Sequence, residues 1–382
     1  MSLKIGNQLT VTITDLSRGG AGVARANGGQ TVFVPCSLTG DEVKVEIVEV
    51  KRRHAFAKII EITKPSPDRV SPQCDVFTRC GGCQWQHVPY AIQWSTKTDG
   101  VRQALSATSN DKKVKFQEFS ADTIWHYRNR VQMRGKGDAL GFYAERSHDI
   151  VPVTQCAIAS PEINQALVEI RSKDCVSNKE YKVEIEVTED GSVQCHWNTH
   201  HAASGFRQVN DEQNKKLIAW IRQTFKKNHP IYDLYGGSAN LSRELASQGV
   251  EVHCVDQSTP ENKRGQQPDT LHFHNQDVLS WLKNRITDLM YKRIPEPTSP
   301  WSAIIDPPRG GMGDDFEDIV SRLDKLNVKS MILVGCKTDT WVRDIIKLQQ
   351  RKWTLASVAV FDFFPHTPHI ETAAYLENQT HD

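Results

Sequence analysis

Residues 6–62 alternate apolar and polar side chains in short runs, among them Leu9-Thr-Val-Thr-Ile13, Thr31-Val-Phe-Val34 and Val43-Lys-Val-Glu-Ile47, separated by glycine-bearing turns. Period-two alternation turns one face of each run inward, so several such strands in close succession predict a small antiparallel barrel. Lys64-Pro-Ser-Pro-Asp68 then interrupts regular structure twice, because each proline lacks a backbone donor, and the first boundary falls there. From 69 to about 205 the pattern is mixed. A helix is predicted over Tyr90–Ala107, with strands around Arg128–Arg134, Gly141–Tyr143 and Tyr181–Val187. After Phe206-Arg-Gln-Val-Asn210, apolar strands at Ile231–Leu234, Glu251–Val255, Ala303–Ile305, Ser330–Val334 and Ser357–Phe364 alternate with helical stretches. Strands that are apolar throughout and joined through helices predict a parallel sheet covered on both faces. The expected organisation is an all-β barrel over 1–64, an α+β region over 65–205 and an α/β domain over 206–382.

At 382 residues the chain exceeds one ordinary domain, which agrees with this division. No apolar run approaches the roughly 20 residues that span a bilayer, and the N-terminus lacks the apolar core of a signal peptide. A cytoplasmic protein without a membrane segment is therefore expected. The formal net charge of +1 conceals an asymmetry: residues 1–160 hold 21 Lys+Arg against 15 Asp+Glu, and the remainder holds 26 against 31. A basic N-terminal half suits a polyanionic partner, since neutralised phosphates release counterions.

The nine cysteines of a reducing compartment do not read as a disulfide framework. Cys74, Cys80 and Cys83 cluster in Cys74-Asp-Val-Phe-Thr-Arg-Cys80-Gly-Gly-Cys83, whereas Cys36, Cys175, Cys195 and Cys254 stand alone and read as ordinary thiols. Three close cysteines and one distant ligand suit an iron–sulfur cluster, and a structural zinc is the rival.

In the third region Ile231-Tyr-Asp-Leu-Tyr-Gly-Gly-Ser-Ala-Asn-Leu241 reads as a strand, a tight glycine turn and the start of a helix. Such turns let a ligand approach the backbone at the carboxyl end of the strand. Asp256, at the end of the next strand, is placed to accept from ribose hydroxyls, and Asp277 to hold an adenine. Ile304-Ile-Asp306-Pro-Pro-Arg309 puts a carboxylate at a strand end before a rigid loop over the same crevice. Met331-Ile-Leu-Val-Gly-Cys336-Lys-Thr sets a thiol just past another strand, where Lys337 is expected to favour the thiolate. Phe364-Pro-His366-Thr-Pro-His369-Ile-Glu371 brings a carboxylate that can take a proton.

These segments, in this order, resemble the RNA (uracil-C5)-methyltransferase family across nearly the whole chain. Met1–Ile62 resembles its TRAM domain, an OB-like RNA-binding barrel, and Trp125-His-Tyr-Arg-Asn-Arg130, Gly141-Phe-Tyr and Phe206-Arg-Gln-Val-Asn210 resemble its middle signatures. The resemblance implies a Rossmann-like methyltransferase domain that methylates C5 of a uridine in RNA with S-adenosylmethionine. By it, Gln208, Tyr235, Asn240, Asp256, Asp277 and Asp306 contact the cofactor, Cys336 is the nucleophile and Glu371 the base. It also makes Cys74, Cys80, Cys83 and Cys156 the ligands of a [4Fe–4S] cluster. Phe206 is a candidate to stack on the target base and Arg309 to make a polar contact with it. A barrel together with four cluster cysteines resembles the enzymes of large-subunit (23S) ribosomal RNA more than those of transfer RNA, and a monomer is expected. The alternatives are a catalytically weak RNA-binding protein that keeps the fold and a transfer-RNA uridine-C5 methyltransferase. Two departures stand out: Gly236-Gly237-Ser238-Ala239-Asn240 replaces Cys-Gly-x-Gly-Asn, and Gly335-Cys336-Lys337-Thr338 replaces Ser-Cys-Asn-Pro.

Overall fold

The computed structural model describes residues 3–106, 114–172, 179–199, 207–225, 229–259 and 267–378. Contacts divide the chain into two units: residues 1–100, 122–201 and 364–369, and residues 101–121, 202–363 and 370–382.

The first unit contains two sheets. Strands β1 (Gln8–Thr12), β2 (Asp15–Leu16), β3 (Gly22–Arg25), β4 (Thr31–Val34), β5 (Glu42–Val50) and β6 (His54–Lys64) are ordered β1-β5-β6-β4-β3-β2. The alternation works as expected, with Val43, Val45, Ile47, Ala55 and Ala57 turned into one core. The sheet departs from the antiparallel expectation at one pair, since β4 and β6 run parallel. Helix α1 (Tyr90–Ser106) occupies the predicted span, and β7 (Lys115–Phe119) belongs to the second unit. Strands β8 (Arg130–Lys136), β9 (Ala139–Tyr143) and β10 (Ile150–Pro152), helix α2 (Pro161–Ser172), and strands β11 (Tyr181–Val187) and β12 (Val193–Trp197) follow. They form an antiparallel sheet ordered β10-β9-β8-β11-β12, with α2 packed against it through Ile163, Leu167 and Ile170. Trp125, from the middle signature, stacks on His366, whose Nδ1 meets the Gln93 amide of α1 at 3.2 Å.

The second unit is the α/β domain. Its elements are α3 (Asp211–Thr224), β13 (Ile231–Leu234), α4 (Arg243–Ser247), β14 (Val252–Asp256), β15 (Leu271–Asn275), α5 (Val278–Met290), β16 (Trp301–Ile305), α6 (Phe316–Lys325), β17 (Val328–Gly335), α7 (Thr338–Gln350), β18 (Trp353–Phe361) and β19 (Glu371–Asn378). The eight-stranded sheet runs β15-β14-β13-β16-β17-β19-β18-β7. Strands β13 to β17 are mutually parallel, and β19 lies antiparallel between β17 and β18. β7 pairs parallel with β18 at the far edge, although it comes from the stretch read as the central region. Its sequence, Lys-Phe-Gln-Glu-Phe, is too polar for the apolar-strand criterion that finds its neighbours.

Candidate active site

The chain leaves β13 toward β14 on one side and later returns to β16 on the other, so a crevice opens at the carboxyl ends between these strands, where open α/β sheets bind ligands. The register is in step there, with Leu234 opposite both Val255 and Ile305, and Ile305 opposite Leu333. Tyr235, Asp256, Asp306 and Cys336 each extend a strand by its last or next residue, and all line the same edge. β19 starts at this edge because it runs the other way. Gly335 pairs with Thr372, so one further step of the ladder sets Cys336 opposite Glu371. The Thr372 hydroxyl donates to the Gly335 carbonyl at 2.7 Å and closes this corner.

The electrostatics of the corner follow from burial and from three charges. Burial, then the Glu371 carboxylate, push the Cys336 thiol above its ordinary value, while Arg309 acts oppositely and hydrogen-bonds to it. The cation that favours the thiolate is therefore Arg309, not Lys337, which is exposed at the N-terminus of α7. Glu371 is 4% exposed, and burial together with Asp306 raises its carboxyl well above the usual range. Asp306 is lifted to about 7 by burial and Asp256. A thiol, a guanidinium and carboxyls of raised proton affinity are groups that nucleophilic and acid–base chemistry can use.

Helix α7 clamps the loop that carries Arg309. The Thr340 hydroxyl donates to the Arg309 carbonyl at 3.0 Å, an Arg343 guanidinium nitrogen to the Gly310 carbonyl at 2.8 Å, and the Met312 amide to buried Asp344 at 2.9 Å. Gly311 has φ +72 and faces Asp344 so closely that a Cβ would lie 2.3 Å from its carboxylate. Sequence reasoning passed over these residues, which carry no motif. Asp344→Ala leaves a buried amide without its acceptor, so thermal unfolding should show a loss of about 1–3 kcal/mol. Steady-state kinetics should show turnover falling more than cofactor binding.

The glycine turn is built around Asp233, which sequence reasoning also passed over. Asp233 lies in β13 fully buried, accepts from the Ser242 hydroxyl, and has an Oδ1 without a partner among the described residues. Burial lifts its carboxyl to about 7, with Asp306 and Asp256 adding to the effect. Its signal in the sequence was an acidic residue inside an otherwise apolar strand. A carboxyl raised from 3.8 to about 7 costs folding on the order of 4 kcal/mol once ionised. That cost is absent below the unfolded value, grows as pH rises, and levels off above about 7. Asp233→Asn should therefore raise the melting temperature at pH 8.5 and change it little at pH 4. A gain independent of pH would contradict the assignment.

The remaining expected cofactor residues have partners of their own. Asn240 exchanges two 2.9 Å hydrogen bonds with Asn214 of α3. Asp256 accepts from the amide and hydroxyl of Ser258, and Asp277 caps α5 by accepting from the Ser280 amide at 2.9 Å. Gln208 is buried just before Asn210, the N-cap of α3. Tyr235 and Ala239 have φ of +61 and +62, a conformation that strains residues bearing a Cβ, so the alanine in the second glycine position sits where glycine would be relaxed. Phe206 and Cys175 lie outside the described residues.

Residues 3–60 match the TRAM domain profile, and residues 299–379 match the profile of the tRNA (uracil-5-)-methyltransferases. The chain is 29% identical, over 97% of its length, to a 23S rRNA (uracil(1939)-C(5))-methyltransferase of Pectobacterium carotovorum, of which 94% is covered. It is also 29% identical, over 97% of its length, to an uncharacterised RNA methyltransferase of Bdellovibrio bacteriovorus, of which 95% is covered. Over nearly its whole length the chain is similar to RNA uracil-C5 methyltransferases. The crystal structure of the Pyrococcus abyssi tRNA (uracil-54, C5)-methyltransferase in complex with S-adenosyl-L-homocysteine shares its fold, with TM-score 0.69 at 18% identity over 96% of this chain and 100% of that one.

Cys74, Cys80, Cys83 and Cys156 line one cavity of about 210 Å³, together with Val76, Phe77 and Phe142. Burial raises the thiols of Cys80 and Cys156 and pushes Cys83 up to about 12, and Cys74 adds to each shift. Thiols raised in this way, as those of Cys80, Cys83 and Cys156 are, ionise only if a cation compensates them, and thiolates are the usual donors of an iron–sulfur cluster. Among the described residues no three His, Cys, Asp or Glu side chains converge as ligands of a single ion. No described helix is long and apolar enough to cross a membrane.

Proposed function

We propose that this chain methylates C5 of a uridine in large-subunit ribosomal RNA through a covalent bond between Cys336 and C6 of the base. The observation that carries the reading is the meeting of Cys336, Glu371, Asp306 and Arg309 at the strand-end crevice that also holds the glycine turn. S-adenosylmethionine supplies the electrophilic methyl group. Uracil C5 is too weak a nucleophile to accept it unaided, and addition of the Cys336 thiolate at C6 creates an enolate with electron density at C5. Arg309 stabilises the thiolate before attack. After methylation the ionised Glu371 carboxylate, made the stronger base by its raised proton affinity, takes the C5 proton, and the thiolate leaves. Tyr235, Asp256, Asp277, Asp306, Gln208 and Asn240 would hold the cofactor. The target base has to leave its stack to reach the crevice, which is easiest in a loop or bulge. The four cysteines would hold a [4Fe–4S] cluster that ties their loop to the middle sheet.

The P. carotovorum relative acts on ribosomal RNA, and the P. abyssi enzyme that shares the fold acts on transfer RNA. Transfer of a labelled methyl group to unmodified 23S ribosomal RNA, with none to transfer RNA transcripts, is the expected result. The reverse preference would replace ribosomal by transfer RNA. No transfer to either would favour the RNA-binding alternative.

A further inference from the structure

The chain between β18 and β19 changes unit twice before it reaches Glu371. Its start belongs to the second unit: Phe361 stacks on Phe119 with centroids 4.7 Å apart, the Asp362 amide donates to the Phe119 carbonyl at 3.1 Å, and the Asn210 side-chain amide donates to the Phe363 carbonyl at 3.4 Å. Residues 364–369 belong to the first unit. Ile370 alone then separates them from Glu371, which opens β19.

The first unit grips this loop by its backbone. Lys97 of α1 donates to the Phe364 carbonyl at 3.0 Å, and the Tyr127 hydroxyl donates to the Pro365 carbonyl at 3.2 Å. At His366 both backbone groups are taken: the carbonyl accepts from the Gln84 and Trp85 amides at 3.0 and 2.9 Å, and the amide donates to Gln93 Oε1 at 2.8 Å. Gln93 is itself buried and fixed, because its side-chain nitrogen donates to the Trp85 and Val88 carbonyls at 3.0 and 2.8 Å. Trp125 covers the His366 ring with centroids 3.7 Å apart. His366 is 2% exposed and has φ +65, a left-handed conformation that a residue with a Cβ keeps only when its surroundings dictate it.

A plain connector between two strands needs none of this, and strain held in place by distant parts of the chain is found where a reactive group has to be placed. We propose that Gln93 and Trp125 are positioning residues for the proton-abstraction step: by locking His366 they fix the backbone that delivers Glu371, and so aim its carboxylate at C5 of the base. This rests on the reading of Glu371 as the base. Cys336 follows β17, which pairs with β16 on its other side, so loosening the loop should leave attack and methylation largely intact and slow the loss of the C5 proton. A reacting group displaced by about 1 Å can cost about 10²-fold in rate.

The test uses the full chain with unmodified 23S ribosomal RNA and with the same transcript carrying deuterium at C5 of its uridines. Trp125→Leu removes the stacked ring at a half-buried position, and Gln93→Met removes the hydrogen bonds to His366 at similar side-chain length. Each should lower turnover by about 10²-fold while KM for RNA and for S-adenosylmethionine stays near the parent's. Both should accumulate a methylated RNA–protein adduct and show a larger deuterium isotope effect on turnover than the parent, because loss of the C5 proton has become limiting. Trp125→Phe, which keeps a ring over His366, should restore parent behaviour. The adduct is counted against the protein that reacts in a single turnover, so a poorly folded fraction does not imitate the result. Parent turnover in both variants, or slower turnover with no adduct and an unchanged isotope effect, overturns the proposal. Glu371→Gln run alongside separates the two readings: an adduct there and none in Trp125→Leu or Gln93→Met removes only the positioning role. Parent turnover and no adduct in Glu371→Gln remove the base, and the positioning role with it.

Discussion

Cys336→Ala is expected to abolish methyl transfer and to form no covalent complex with RNA, whereas Glu371→Gln is expected to accumulate one. The two residues face each other across the β17–β19 ladder, and the proposed mechanism has them act on opposite sides of the intermediate. Without the thiol no enolate forms, and neither Asp306 nor Arg309 can replace a sulfur nucleophile. With the thiol present and the base removed, attack and methylation proceed while loss of the C5 proton stalls. Removing a positioned base should slow turnover by about 10²–10⁴-fold. The Glu371→Gln complex should survive denaturing electrophoresis, depend on S-adenosylmethionine and carry the methyl group. Parent turnover in Glu371→Gln, or residual activity in Cys336→Ala, would show the mechanism to be wrong even if the chain methylates RNA.

The second large effect is expected at the cysteine cavity. Anaerobically purified protein should be brown and carry about four irons per chain. Changing Cys74, Cys80, Cys83 or Cys156 to Ser should remove the colour and lower solubility, because the remaining thiols lose the cation that compensates them and the loop loses its tie to the middle sheet. Cys195→Ser, at an exposed position on β12, should keep iron and solubility. A colourless parent protein with one zinc, or equal loss from Cys195→Ser, would contradict the ligand set.

The sequence made legible those features that follow from local pattern. Ile231–Leu234 and Tyr181–Val187 are strands because apolar or alternating runs of that length have one good way to bury themselves. Cys336 and Glu371 were visible because each stands at a strand boundary, although that β19 runs antiparallel and brings them opposite each other depends on long-range pairing. β7 and the β4–β6 pair were hidden for the same reason, since neither polarity nor spacing encodes a partner distant in the chain. The exchange of Lys337 for Arg309 has a geometric cause: Lys337 is adjacent in sequence but exposed at the start of α7, and the proline loop returns Arg309 to the thiol. Asn240 illustrates the converse, because its place in the glycine turn was legible while its two bonds to Asn214 were not.

The central claim, methylation at C5 of a uridine in large-subunit ribosomal RNA, is tested most directly by mass mapping of nucleosides in ribosomal and transfer RNA from cells with and without this gene. The account predicts that one 5-methyluridine disappears from 23S ribosomal RNA when the gene is absent and returns with the parent chain but not with Cys336→Ala. An unchanged 5-methyluridine map, or loss of a methyl group from another base or another position of the uridine, would contradict it.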